Sequence, residues 1–347
     1  MNKPGFDGAK SHANQQGSIL ILTLLLISVL VVLVFEGMHQ MQVEAASSKI
    51  FTANVQGRSL NRSGLLFARH ILAADKALDL EEENLSDHYG EFWSGFLDQD
   101  TLQGPVFTTG GLKGTIQDEQ AKFPVNFLVD DQGKYRNAHK EVFIRLLENA
   151  PFGLKPEKIQ ELLSALKDWL DADDSPEGEL GAEQAYYSFQ GKHSTCRNGP
   201  LASLAELRLV KGFDQDLLQG GKDRPGLIQF LTVHSSGRVN INTAPAMLLA
   251  ALVQPGITRE TADSFAQAML TYRRDPDHFD FLHEKDWYRN RMAGFNDIQL
   301  PAGLIATSSD FFSTRLTARV GGIQVLAYAV HKRESAADVV NVHLEVR

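Results

Sequence analysis

The sequence predicts an α+β protein, in which a long N-terminal helix packs on a small antiparallel sheet and a large helical insertion of two related units interrupts that sheet. Three observations predict it. An uncharged apolar run from Ile19 to Phe35 continues, without Pro, into a helical pattern as far as about Asp75. Strand signals lie toward the two ends of the remaining chain, over Gly104 to Leu128 and Phe311 to Val346. Between them helical periodicity dominates, and a short Gly-led segment between helices occurs twice.

The seventeen residues from Ile19 to Phe35 carry no charge and only Thr23 and Ser28 as polar groups. As a helix they make an apolar rod about 26 Å long, just enough to cross a bilayer. The polar stretch ahead of it carries Lys3 and Lys10 against Asp7, so the positive-inside tendency keeps the N-terminus cytoplasmic and places everything after Phe35 outside. Conventional signal cleavage has only weak sites, at Val43-Glu44-Ala45 or Glu44-Ala45-Ala46, and the apolar run is long for that class. A plain uncleaved anchor is the second fate. The third is cleavage ahead of the run, because a short leader ending in Gly17, then Ser18 and an apolar helix, resembles the leader of type IV prepilins and type II secretion pseudopilins. That resemblance implies a prepilin peptidase that cuts after Gly17, leaving Ser18 as a methylated first residue. It departs at the mature fifth position, Leu22, where most of these proteins carry Glu to offset the terminal amine of a neighbouring subunit. A subunit with nobody above it needs no such partner.

With 347 residues, 43% of them hydrophobic, the chain has material for a long anchor helix and one or two folded domains. The net charge of -9 argues against general affinity for nucleic acid or anionic lipid. The single Cys196 excludes an internal disulfide and a multi-Cys zinc site, and no motif marks it as a nucleophile.

From Glu36 to about Asp75, Met38, Met41, Ala45, Ile50, Val55, Leu65, Leu66 and Ile71 recur among polar residues, with Gly only at 37, 57 and 64, which reads as one helix leaving the membrane. Asp79 to Asp87 reads as an acidic, solvated loop. Gly110-Gly111 opens two short strands, Leu112 to Ile116 and Lys122 to Asn126, joined by a tight connection. The sheet is completed by Phe311–Val320, a Gly321-Gly322 turn, Ile323–His331 and Val339–Val346. The domains expected are a leader (1–17), a transmembrane and spine helix (18–75), a discontinuous sheet domain (76–128 and 306–347) and the insertion (129–305). Within the insertion Gly153-Leu-Lys-Pro-Glu157 and Gly256-Ile-Thr-Arg-Glu260 match, each between two apolar helices. Each copy is introduced by an extended Asn-bearing segment, Phe123–Asn126 and Val239–Pro245, giving repeats at about 129–215 and 239–305.

The densest chemistry is Asp168, Asp171, Asp173, Asp174, Glu177, Glu179 and Glu183, seven carboxylates within sixteen residues and no base interleaved. Mutual repulsion extends such a loop unless a hard cation gathers the oxygens, and calcium takes six to eight of them in irregular geometry. The register is not that of an EF-hand, since counting from Asp171 puts Pro176 at the glycine position and Ala182 at the twelfth. A solvated acidic loop remains the alternative. The Pro255-Gly256-Ile257 turn resembles a SAM-like or helix-hairpin-helix turn, which can offer backbone N–H groups to a phosphate; with only Arg259, Arg273 and Arg274 nearby, a packing turn is the plainer reading. Enzyme signatures are missing: His283-Glu284 has no second His four residues on, Ser164-Ala-Leu-Lys167 is isolated, and His70, His193, His234 and His278 are scattered.

Together these pieces resemble the K-type minor pseudopilin of type II secretion, the GspK family. The resemblance runs through the Gly17 leader, Ile116–Gln120 to Asn126, Asp168–Asp174 with Gly181-Ala-Glu183 and Tyr186-Tyr187, Asn198–Leu201 with Glu206-Leu207, and Val239–Pro245. It implies a pseudopilin fold with bound Ca2+ in the insertion, and a complex with the I-type and J-type minor pseudopilins at a filament tip anchored in the inner membrane. It further implies a structural role in export of secreted exoproteins, without catalysis and without nucleic acid. The spacing within the acidic segment then points to Asp171, Asp173, Asp174 and Glu183 as ligands, with Glu177, Glu179 and Asn198 next in line. The other functions open to the sequence are a minor pilin of a type IV pilus or DNA-uptake system and a membrane-anchored periplasmic binding protein.

Overall fold

A computed structural model describes residues 13–81, 84–97, 110–189, 195–222, 224–335 and 338–346. The first twelve residues of the expected leader, Glu82-Glu83 of the acidic loop, residues 104–109 of the first strand signal, and His193 lie outside the described residues.

Helix α1 runs from Ala13 to Glu81, 69 residues or about 100 Å, and is the one helix among the described residues long and apolar enough to cross a membrane. Its Ile19–Phe35 side chains are exposed on every face, so this stretch needs lipid or other subunits around it. The upper half lies on a four-stranded antiparallel sheet of order β1-β6-β7-β8. The strands along the chain are β1 (Gly110–Asp118), β2 (Phe123–Pro124), β3 (Leu231–Thr232), β4 (Val239–Asn240), β5 (Ile305–Ala306), β6 (Phe311–Val320), β7 (Ile323–Arg333) and β8 (Val339–Val346). Gly321 and Gly322, at φ 55° and 84°, supply the positive-φ pair that a two-residue hairpin needs. Gly64 lets α1 approach the sheet, since a Cβ there would lie 2.7 Å from Leu112 and 2.8 Å from Leu316.

Only one strand of the Leu112–Asn126 pair joins this sheet. Asp118 ends β1 by accepting from the Gln120 backbone N–H at 2.7 Å, which turns the chain into a 3-10 helix. Phe123-Pro124 then pairs in parallel with Leu231-Thr232 and belongs to the insertion. The Asp79–Asp87 stretch also differs from expectation, because α1 continues to Glu81 and both Asp79 and Asp87 are buried.

The insertion contains α2 (Asn137–Glu148), α3 (Pro156–Leu170), α4 (Gln184–Phe189), α5 (Gln215–Gln219), α6 (Ala246–Leu252), α7 (Arg259–Tyr272) and α8 (Trp287–Asn290). Gly153, between α2 and α3, and Gly256, between α6 and α7, both have positive φ, a backbone state that favours Gly. The fourth residue of each introducing segment ties its copy down: Asn126 exchanges two hydrogen bonds with Leu201, while Asn242 donates to the Leu282 and Thr307 carbonyls and accepts from Trp287 Nε1. The copies share one hydrophobic core, with Phe143 and Leu146 of α2 in the same cluster as Leu249 and Leu252 of α6. A separate, smaller core of Leu65, Leu72, Trp93, Ile116, Phe312 and Leu316 lies between α1 and the sheet.

Candidate metal centre

The acidic segment begins where α3 ends, and Asp171 is its C-terminal cap residue. Asp168 organises the loop beyond it, accepting from the backbone N–H of Glu177 at 2.8 Å and of Ala182 at 2.5 Å. These bonds fold the chain back so that Asp171, Asp173 and Glu183 each bring a carboxylate oxygen within 4.8 Å of the others. Asp171 and Glu183 are buried and Asp173 is exposed, so the cluster opens on one side to water.

The remaining expected ligands fall in different places. Asn198, held at φ 48°, donates from Nδ2 to the Asp173 carbonyl at 3.0 Å and to Asp174 Oδ1 at 2.9 Å. Glu177 pairs with Lys167 at 2.9 Å. Glu179 is exposed, and the three-carboxylate cluster does not include it.

Lys167 immediately precedes the base-free span, and its isolated spacing from Ser164 gave no hint of a role in the cluster. One helical turn before Asp171, it reaches Asp171 Oδ2 at 2.9 Å as well as Glu177, and it is not paired with Ser164, which accepts from Gln160. Gly133 is a second such residue; it turns at φ 74°, and a Cβ there would lie 3.4 Å from the Asp171 Cβ. Its only sequence signal is the Asp130–Lys134 turn.

Several oxygens have no partner among the described residues: Asp171 Oδ1, both carboxylate oxygens of Glu183, and Asn198 Oδ1, all buried. Buried oxygen acceptors without donors are costly. Burial, with Asp168 and Asp171 adding repulsion, pushes Glu183 up to about 7. Burial also raises Asp171, against the opposing effect of Lys167. The donor set is all oxygen and mostly anionic, which fits a hard divalent cation better than a soft one. Cys196 adds no thiolate, because burial holds its thiol up at about 12.

The Gly256 turn shows no comparable demand for a ligand. Arg259 beside it lies 3.6 Å from Asp263, and Arg273 is buried, donating to the Ile241 and Ala244 carbonyls at 2.7 Å. Arg273 is thus committed inside the protein, while Arg259 pairs at the surface and Arg274 is exposed.

An apolar helix continuous with the spine of a small antiparallel sheet is the construction of a pseudopilin, here enlarged by a helical insertion that carries an acidic oxygen cluster. The family models described as type II secretion system (T2SS), protein K, match residues 121–221 and 239–284. The chain belongs to the type II secretion system protein K family. It is 30% identical over 267 residues to the protein K of Klebsiella pneumoniae, covering 73% of this chain and 75% of that one. With the protein K of Aeromonas hydrophila the identity is 26% over 345 residues, 93% of this chain and 94% of the relative. Among solved structures, a chain of the GspK-GspI-GspJ complex from enterotoxigenic Escherichia coli shares the fold at a TM-score of 0.64 and 17% identity, covering 88% of this chain and 99% of that chain.

Proposed function

We propose that this chain primes and caps the tip of a type II secretion pseudopilus, a short periplasmic filament whose extension pushes folded exoproteins toward an outer-membrane channel. The insertion is the observation that carries this reading. Its core is larger than that of the sheet domain, and it is fastened near the C-terminal end of α1, away from the apolar run, where the Asp87 carbonyl accepts from Asn240 and Tyr89 donates to the Thr243 carbonyl. Such a body obstructs the middle of a helical stack and fits its end. Leu22 at the mature fifth position suits a subunit with no upper neighbour.

In this reading α1 spans the inner membrane with its N-terminus cytoplasmic and the bulk periplasmic. Prepilin peptidase cuts between Gly17 and Ser18, within the first turns of α1. The partners are the I-type and J-type minor pseudopilins, a reading supported by the related solved complex, which joins GspK to GspI and GspJ. The role is structural, with no catalytic step.

The insertion holds Ca2+ through Asp171, Asp173 and Glu183, with Asn198 Oδ1 as a further oxygen and Asp174, Glu177 and Glu179 at the rim. When bound, the ion supplies positive charge that crosslinks the loop and performs no reaction. Protein extracted from host membranes should begin at Ser18 by terminal sequencing and intact mass, and should co-purify with the I-type and J-type subunits. A chain still starting at Met1 and recovered without them would overturn the assignment.

A further inference from the structure

A second acidic cluster lies at the end of α1, some ninety residues of sequence before the first. Asp75 and Asp79, one helical turn apart, and Asp87 from the following loop each place a carboxylate oxygen within 4.8 Å of the others, and all three are buried. Arg333, the last residue of β7, satisfies two of them. Its Nη1 donates to Asp75 at 2.8 Å, and its Nη2 to both oxygens of Asp87, at 2.5 and 2.7 Å, and to the Ser309 carbonyl at 2.8 Å. Asp79 is left over. Its exposure is 8% and its Oδ2, buried, has no hydrogen-bond partner among the described residues.

Charge balance, helix geometry and an unmet hydrogen-bonding demand converge on a cation. Three carboxylates against one guanidinium leave two negative charges in a buried space, the charge that one divalent ion cancels. Asp75 and Asp79 lie in the last two turns of α1, where the helix dipole favours a cation, yet the last turn carries no basic residue. The charge of Lys76 also acts on Asp75 and Asp79, but among the described residues it donates to none of the three carboxylates and leaves Asp79 Oδ2 unpartnered. A lone carboxylate oxygen in a buried site requires either a proton or a positive partner.

We propose that Asp75, Asp79 and Asp87 form a second site for a hard divalent cation of the calcium class, separate from the centre in the insertion. The ion would tie the end of the spine helix to the Asp87 loop. That loop is the segment that holds the insertion, because the Asp87 carbonyl accepts from Asn240 and its carboxylate accepts from the Ser309 N–H. A proton on Asp79 is the competing species, since burial and the charges of Asp87 and Asp75 raise this group to about 7.

The test uses the full chain in detergent with Ca2+, in wild type, Asp79→Asn, and an Asp171→Asn/Glu183→Gln double variant. Bound metal is counted after gel filtration, and melting is compared with and without chelator. The double variant should keep one ion per chain and a chelator-sensitive melt, and adding Asp79→Asn should remove both. Asp79→Asn alone should hold one ion fewer than wild type. Equal metal content in wild type and Asp79→Asn would overturn the proposal, as would a double variant that binds no ion and melts identically with chelator. Asp79→Ser provides the same comparison if the Asn variant folds poorly.

Discussion

Asn240 is the joint between the insertion and the sheet domain, and replacing it with Ala tests how much that joint contributes. The side chain is fully buried. Its Nδ2 is within 3.0 Å of the Asp87 carbonyl, Asp118 Oδ2 and Ser309 Oγ, and its Oδ1 accepts from the Asn242 backbone N–H at 3.0 Å. Two amide hydrogens cannot fully serve three acceptors, so the loss amounts to about three bonds, two donated and one accepted, with one of the donated bonds to a carboxylate. At about 1 kcal/mol for each neutral bond and about 2 for the charged one, Asn240→Ala should cost roughly 4 kcal/mol. Asp118 keeps Thr243 and Ser309 as donors, at 2.6 and 2.7 Å, which bounds the damage from above. Using about 2–4 °C per kcal/mol for a folded unit of this size, the melting temperature should fall by roughly 8–16 °C. Hydrogen exchange should rise first in 84–97 and 239–243, before the insertion core opens. Asn240→Asp should be worse at neutral pH, because it sets a second carboxylate against Asp118, and should recover as acid protonates one of the two. A melting temperature within about 2 °C of wild type, with no local rise in exchange, would refute the view that this network holds the two parts together.

Three further outcomes are expected from the same geometry. Chelation should lower the melting temperature of the wild type, and Glu183→Gln should reduce that response, as followed by calorimetry across a calcium titration. Lys167→Met should cost about 3 kcal/mol without calcium, since it strips the cation from buried Asp171, and should tighten calcium binding measured by isothermal titration. His331 is fully buried between Thr314 and Asn341, and burial lowers its pKa to about 4. Its contribution is therefore complete above the unfolded value near 6.5 and is lost as pH falls toward 4, by up to about 3 kcal/mol. The stability difference between wild type and His331→Gln should shrink over that window in a pH series of melts.

The features legible in the sequence were those set by local pattern. The apolar run, the Gly321-Gly322 hairpin and the alternation in Phe311–Val320 are written in nearest neighbours, and the strands occur there. The matching Gly153 and Gly256 turns likewise expose a local need for positive φ. Features set by partners distant in sequence were misread. Asp79 and Asp87 looked like solvated charge because the cation beside them, Arg333, comes from the far end of β7. Lys122–Asn126 looked like a second strand of the sheet because it follows the first after a tight connection, but the pairing partner of Phe123-Pro124 is Leu231-Thr232. In the acidic segment, density pointed to the right neighbourhood without saying which oxygens converge. Asp168, within the same run, spends both oxygens on backbone N–H groups, while Asn198 is brought to Asp173 and Asp174 by the return of the chain.

The neighbouring strands β1 and β6 are separated in sequence by the whole of residues 119–310. Closing so long a loop in a disordered chain costs about 3 kcal/mol more than closing one of a few residues. If the insertion collapses first, its entry and exit are already side by side and the strands meet across a short gap. Biogenesis then has a preferred order: the insertion is the nucleus that lets the sheet close, and a lesion in its core should slow maturation of a sheet it does not touch.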